Sequence, residues 1–251
     1  MAKIQGIYRY PIKGLSPEPM TRASLSPGET VPGDRLYAIE NGPSGFDPAD
    51  PYLPKTRFLM LMKNERLATL RTTFDQQSHV LTVTRDGHEV ARGDLRNAEG
   101  RATIERYFAA FCADELRGPP KILFAPGHSF SDVARKVVSI INLASVAALE
   151  GVVGASLNPL RFRANVYVDG WAPWSELDFV GKVISAGSSV RLKVAKRIVR
   201  CAATDVDPQT GIRDLNLPQS LMRRFGHADC GIYAEVIAGG DIAPGDAIAT
   251  M

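Results

Sequence analysis

The chain has 251 residues, 45% of them hydrophobic and 23% charged, which allows one large or two small domains and excludes a disordered, collagen-like or membrane-embedded chain. A formal charge of +3, with Lys and Arg spread along the chain, excludes the dense basic stripe of a nucleic-acid-binding protein and favours small anions as partners. Three widely spaced cysteines without a CxxC pair argue against a disulfide framework, a zinc site or an Fe-S cluster, and for a reducing compartment.

Residues 3–10 alternate in polarity and stop at Pro11, the pattern of a strand. Residues 80–85 followed by Asp86-Gly87 predict a hairpin, because Asp-Gly accepts the positive φ angles of a type I′ turn. Ile104, Tyr107, Phe108 and Phe111 recur at three- and four-residue spacing, which predicts a helix over 103–112. Gly118-Pro119-Pro120 is the expected boundary between domains 1–118 and 119–251, since paired prolines neither continue a helix nor donate to a sheet.

Beyond it, 137–141 reads as a buried strand, with Asn142 capping a helix that Gly151 is expected to end. Further strands are predicted over 164–168, 183–186, 190–195 and 232–237, and a short helix over 218–225 closed by Gly226. Lys193, Lys196, Arg197 and Arg200, interrupted by Val194, Ala195, Ile198 and Val199, read as half-buried strand rather than a binding patch. The expected fold class is mainly β with some helices (α+β), built on a barrel or closed sheet. No secretory leader is evident, and polar residues break the longest apolar stretch, 137–157, so a cytoplasmic protein without a membrane span is expected.

The sharpest local signal runs from Arg200-Cys201 through Thr204-Asp205-Val206-Asp207-Pro208 to Gly211. A cysteine beside an arginine at a strand end is favoured as a thiolate, which is a soft ligand or a nucleophile; the other reading is a small core hydrophobe. Asp205 and Asp207 read as turn formers rather than acid/base groups. Trp171 and Trp174 could line a substrate mouth but read rather as a packed loop over the barrel. The four histidines sit in no recognisable hydrolase signature, and no P-loop or strand-bound GxGxxG is present.

Several blocks occur in a characteristic order. They are Tyr10-Pro11-Ile12-Lys13-Gly14, Gly33-Asp34-Arg35-Leu36, Phe130-Ser131-Asp132, Ser139 to Ser145, Asn158 to Val166, Arg200-Cys201 with Thr204 to Gly211, and Gly245-Asp246. Together they resemble the MOSC domain preceded by the MOSC N-terminal β-rich region, as in YcbX-like proteins and the mitochondrial amidoxime-reducing component. The resemblance implies an N-terminal β-rich domain packed on a C-terminal MOSC β-barrel, with a molybdenum cofactor (Mo-molybdopterin) between them.

It also implies site residues. Cys201 would be the metal ligand and catalytic residue, which suits a soft thiolate. Lys13, Arg35, Arg163 and Asn165 would meet the pterin or its phosphate, and Ser131 and Asp132 would border the cofactor. Arg200 and Thr204 would shape the loop of Cys201, while Cys112 and Cys230 match no ligand position and are expected in the core.

The implied activity is an oxidoreductase that reduces N-hydroxylated small-molecule substrates. The alternatives are a sulfur carrier with a persulfide on Cys201 and a non-catalytic cofactor carrier. No fused ferredoxin domain is seen, so electrons would come from a separate electron-transfer protein of ferredoxin, flavoprotein or cytochrome type; pyridoxal phosphate is not expected. Asp205 stands where amidoxime-reducing relatives usually carry threonine, and the stretch between Gly211 and Gly231 is short, so the substrate face is expected to differ.

Overall fold

The computed structural model describes residues 1–251. In its first half lie β1 (Lys3–Arg9), β2 (Glu18–Met20), β3 (Ala23–Leu25), β4 (Ala38–Glu40), β5 (Arg71–Phe74), β6 (Val80–Arg85), β7 (His88–Asp94) and α1 (Ala98–Phe111). The second half adds β8 (Lys121–Leu123), β9 (Val138–Asn142), α2 (Leu143–Val153), β10 (Val166–Asp169), β11 (Val183–Ala186) and β12 (Val190–Val199). It ends with α3 (Leu217–Phe225), β13 (Asp229–Ala238), β14 (Gly240–Ile242) and β15 (Ile248–Thr250). The chain is mainly β with three helices, and none of these is long and apolar enough to cross a membrane.

Eight strands form one curled sheet in the order β15-β11-β12-β13-β9-β10-β1-β2. All its pairings are antiparallel except β9 with β10, which α2 connects. Alternation supplies the buried face: Val190, Leu192 and Val194 of β12 point inward between more exposed neighbours. Ala2, Ile4, Ile7, Ala23, Leu25 and Val31 join the same core, so the start of the chain packs with the second half, and β1 and β2 belong to its sheet. A separate core gathers β5-β6-β7, α1 and the β4–β8 pair around Phe108, Leu81 and Tyr37. Each fully buried aliphatic or Phe side chain adds roughly 1.5–3 kcal/mol to such a core.

Three local expectations need adjustment. The helix predicted over 103–112 starts earlier, because the Asn97 side chain accepts from Gly100 N at 2.7 Å and fixes the first turn. Gly100 permits this start: a Cβ there would stand 2.1 Å from Asp94 O. Gly151 does not end α2; the helix passes through it to Gly154, whose left-handed φ of 69° lets its N–H bond Glu150 O.

The strand predicted over 190–195 continues to Val199 across register shifts at Val194/Lys196 and Arg197/Val199. Such bulges break the alternation, so consecutive Lys196 and Arg197 both remain exposed. The Asp86-Gly87 turn has φ of 51° and 81°, as its hairpin requires. Cys112 and Cys230 are buried, and burial pushes both thiols up to about 12.

Candidate functional site

A cleft of about 310 Å³ is lined by residues from both halves of the chain, Lys13 to Met62 and Ser131 to Tyr233. Its wall contains Lys13, Arg35, Ser131, Asp132, Arg163, Asn165, Arg200, Cys201 and Thr204, so every expected site residue reaches one place. Sequence distance is bridged by pairing: the chain runs from β1 on to Lys13 and from β12 on to Arg200 and Cys201, and β13, β9 and β10 link the two strands in one sheet.

Arg35 and Arg163 converge on the ring of Tyr10, at 5.0 and 4.3 Å from its centroid. Both have left-handed backbones, with φ of 51° and 50°. For a side-chain-bearing residue that conformation costs about 1–2 kcal/mol. Local chemistry holds each of them in place. The Arg35 N–H donates to Tyr10 O at 2.7 Å, and Asp34 accepts from Tyr10 N and from the Arg35 guanidinium. Arg163 closes a single 3-10 turn, Pro159–Phe162, which Asn158 caps by accepting from Leu160 N.

Burial disfavours charge on both arginines, yet Asp34 beside Arg35 pushes its pKa up. Arg163 has no such partner in the chain, and burial with Arg35 nearby pulls its pKa below the ordinary value. An unpaired guanidinium facing a second one is a site for an anion.

Lys13 is 5% exposed and donates to Phe130 O at 2.9 Å and to Asp132. Burial pulls its pKa down. Burial also opposes ionisation of Asp132, but Lys13 and Lys55 hold its carboxyl well below the usual range. Gly14 turns the chain beside Lys13 with φ of 85°, where a Cβ would meet Leu59 O at 2.7 Å.

Cys201 is partly exposed at the end of β12. Thr204 holds its turn, donating to Cys201 O through both its N–H and its hydroxyl at 3.0 Å. Arg200 donates to Cys230 O and Phe162 O, while its Nη2 is buried without a partner. Asn165 lines the cleft, but its amide is committed to Ser139 and Tyr8 and ties β9 to β1. Ser131 accepts from Val133 N and leaves its hydroxyl hydrogen for a ligand.

Sequence reading missed Lys55, whose Nζ donates to Cys201 Sγ at 3.3 Å and stands 3.6 Å from Asp132. Nothing in the proline-rich segment around it marks the residue. Lys196 and Arg197, read as half-buried strand rather than a binding patch, also line the cleft. Arg161 was missed as well: it is buried and pairs with Asp207 and Asp214.

Asp207 does form a turn, accepting from Gln209 N and Thr210 N, and Asp205 accepts from Leu217 N at the start of α3. Trp171 packs on Phe179 and Trp174 on Phe225, both away from the cleft. No group of three or more His, Cys, Asp and Glu could hold a metal ion by itself, so a metal at Cys201 would need non-protein donors.

Fold and site thus define a mainly β protein whose cationic cleft ends at an accessible thiol. The chain belongs to the MOSC family: the MOSC domain matches residues 120–249, and the MOSC N-terminal beta barrel domain matches residues 1–115. This family is associated with molybdenum cofactor binding. No curated protein matches the chain significantly. Among solved structures, the YuaD protein from Bacillus subtilis is 15% identical, covering 98% of this chain and 93% of that one with a TM-score of 0.47. YiiM from Geobacillus stearothermophilus is 20% identical over 45% of this chain and 53% of its own, with a TM-score of 0.35.

Proposed function

We propose that the protein binds the molybdenum cofactor in this cleft, with Cys201 as the protein ligand of the metal, and reduces small N-hydroxylated compounds. The observation that carries this reading is the pair of left-handed arginines, Arg35 and Arg163, meeting in a cleft that also holds an accessible thiol. Strained backbone persists where its surroundings over-determine it, which is common at ligand clamps. The residues present fit the cofactor: Lys13, Arg35 and Arg163 suit its phosphate, the partnerless Nη2 of Arg200 can donate, and Cys201 is a soft donor.

Bound there, the cofactor would supply the two-electron step in which an N-hydroxylated amine takes up two electrons and two protons and leaves as amine and water. The chain's own residues bind and orient. Arg35 and Arg163 hold the anionic end, and Thr204 fixes the turn that carries Cys201. Electrons come from a separate ferredoxin, flavoprotein or cytochrome. The proposed domains meet at 118/119 with the cleft between them, and three free cysteines support a cytoplasmic setting.

The test is metal analysis of protein made in a cofactor-producing host, with turnover of benzamidoxime driven by dithionite-reduced methyl viologen. Stoichiometric molybdenum, with turnover that Cys201→Ser abolishes, supports the reading. Molybdenum without turnover favours a carrier, and cyanide-labile sulfur without molybdenum favours a sulfur donor. Unchanged turnover in Cys201→Ser overturns the ligand assignment.

A further inference from the structure

We infer that Lys55 makes this cleft select substrates that carry a negative charge; the substrate's reacting group rests on the reductase reading, the electrostatics do not. The Lys55 ammonium is 3.3 Å from Cys201 Sγ, where any species reacting at or beside that sulfur must come. Its side chain is 31% exposed, so it can turn from the thiol towards an incoming group.

Lys55 is only partly neutralised. Its one carboxylate neighbour, Asp132, stands 3.6 Å away and is shared with Lys13, so two ammonium groups depend on one anion. Lys196, over the Tyr233 ring, and Arg200 line the same cleft with no carboxylate partner. Arg197 reaches only Asp178 and Asp229, at 3.5 and 3.8 Å.

Setting aside Arg161 and Arg197, which pair with carboxylates outside the wall, six Lys and Arg side chains face two carboxylates, Asp34 and Asp132. A dianionic phosphate beside Arg35 and Arg163 would still leave the excess cationic. A concave wall of one sign concentrates counter-charged solutes and repels like-charged ones. A carboxylate-bearing N-hydroxy compound is drawn in. A cationic one is turned away.

Two measurements test this. In metal-free protein, Cys201 is alkylated with iodoacetate and with iodoacetamide, and the labelled peptide is quantified by mass spectrometry. The same thiolate attacks both reagents and displaces iodide, so their rate ratio cancels the thiolate fraction and reports the local field. The iodoacetate preference should exceed that of free cysteine. It should fall about fivefold or more in Lys55→Met, persist in Lys55→Arg, and shrink in high salt. A ratio equal to that of free cysteine, or one unmoved by Lys55→Met, overturns the inference.

In cofactor-loaded protein, kcat/KM is compared for benzamidoxime and its 4-carboxy and 4-aminomethyl derivatives. Each N–OH takes two electrons from reduced viologen and two protons from water, giving the amidine and water. The anionic derivative should lead, the cationic one should trail, and Lys55→Met should narrow the spread. Equal or reversed ranking overturns the inference. An iodoacetate preference without any reductase turnover refutes the reductase reading and leaves the charge selection standing.

Discussion

Replacing Arg161 with methionine should destabilise the loop that follows Cys201, because this one buried cation holds three parts of it. Its side chain is 2% exposed and donates to Asp214 Oδ1 and Oδ2 at 2.8 and 2.6 Å, to Asp207 Oδ2 at 3.0 Å and to Asp205 O at 3.2 Å. Breaking a buried ion pair by removing one partner costs about 3–5 kcal/mol. Asp214 is 42% exposed and Asp207 20%, so water recovers part of that loss, leaving about 2–3 kcal/mol. For a chain of this size that corresponds to a Tm lowered by roughly 4–12 °C.

The pH dependence has a definite sign. Burial opposes ionisation of Asp207, but the N–H groups of Thr210 and Gln209 together with Arg161 hold its carboxyl below the ordinary value. A depressed carboxyl contributes stability that is complete above the unfolded pKa, about 3.9, and lost as pH falls through the folded one. The gap between wild type and Arg161→Met should therefore be full at pH 7 and narrow in acid. Urea unfolding and calorimetry at both pH values measure it. A Tm loss under about 2 °C at pH 7, or a gap that widens in acid, would refute this reasoning.

Two glycines provide opposite outcomes. Gly151 lies within α2 with nothing near its missing Cβ, so Gly151→Ala should stabilise by about 0.5–1 kcal/mol, whereas Gly100→Ala would drive a Cβ to 2.1 Å from Asp94 O and should destabilise. Paired thermal melts decide both. Glu176 is fully buried, and burial raises its pKa despite donors on Asn142 and Ser145. A raised folded-state pKa means stability present below the unfolded value of about 4.3 is lost as pH rises, so the stability difference should move in favour of Glu176→Gln between pH 4 and pH 8. Urea unfolding across that range would show no drift if the carboxylate is held without penalty.

Much of the fold was legible because its signals are local. Asp86-Gly87 specifies a hairpin by backbone sterics alone, and Asn142 caps α2 from an adjacent position. The ordered blocks around Lys13, Arg35, Arg163 and Cys201 marked the cleft residues before any geometry was known. Local reading failed where the determining partner is distant. Gly151 carries a helix-ending residue type, but the left-handed turn falls at Gly154, and the bulges of β12 depend on its pairing with β13.

The amino-acid order by itself determined the strand-rich class, the family and the sulfur at Cys201, since propensity, turn chemistry and motif spacing reside in short stretches of chain. Only the tertiary structure decided which charges meet. Lys55 and Cys201 are 146 positions apart, Lys13 and Asp132 are 119 apart, and Arg35 reaches Arg163 O across 128. Electrostatic energy depends on separation in space and on burial, and neither is encoded in separation along the chain.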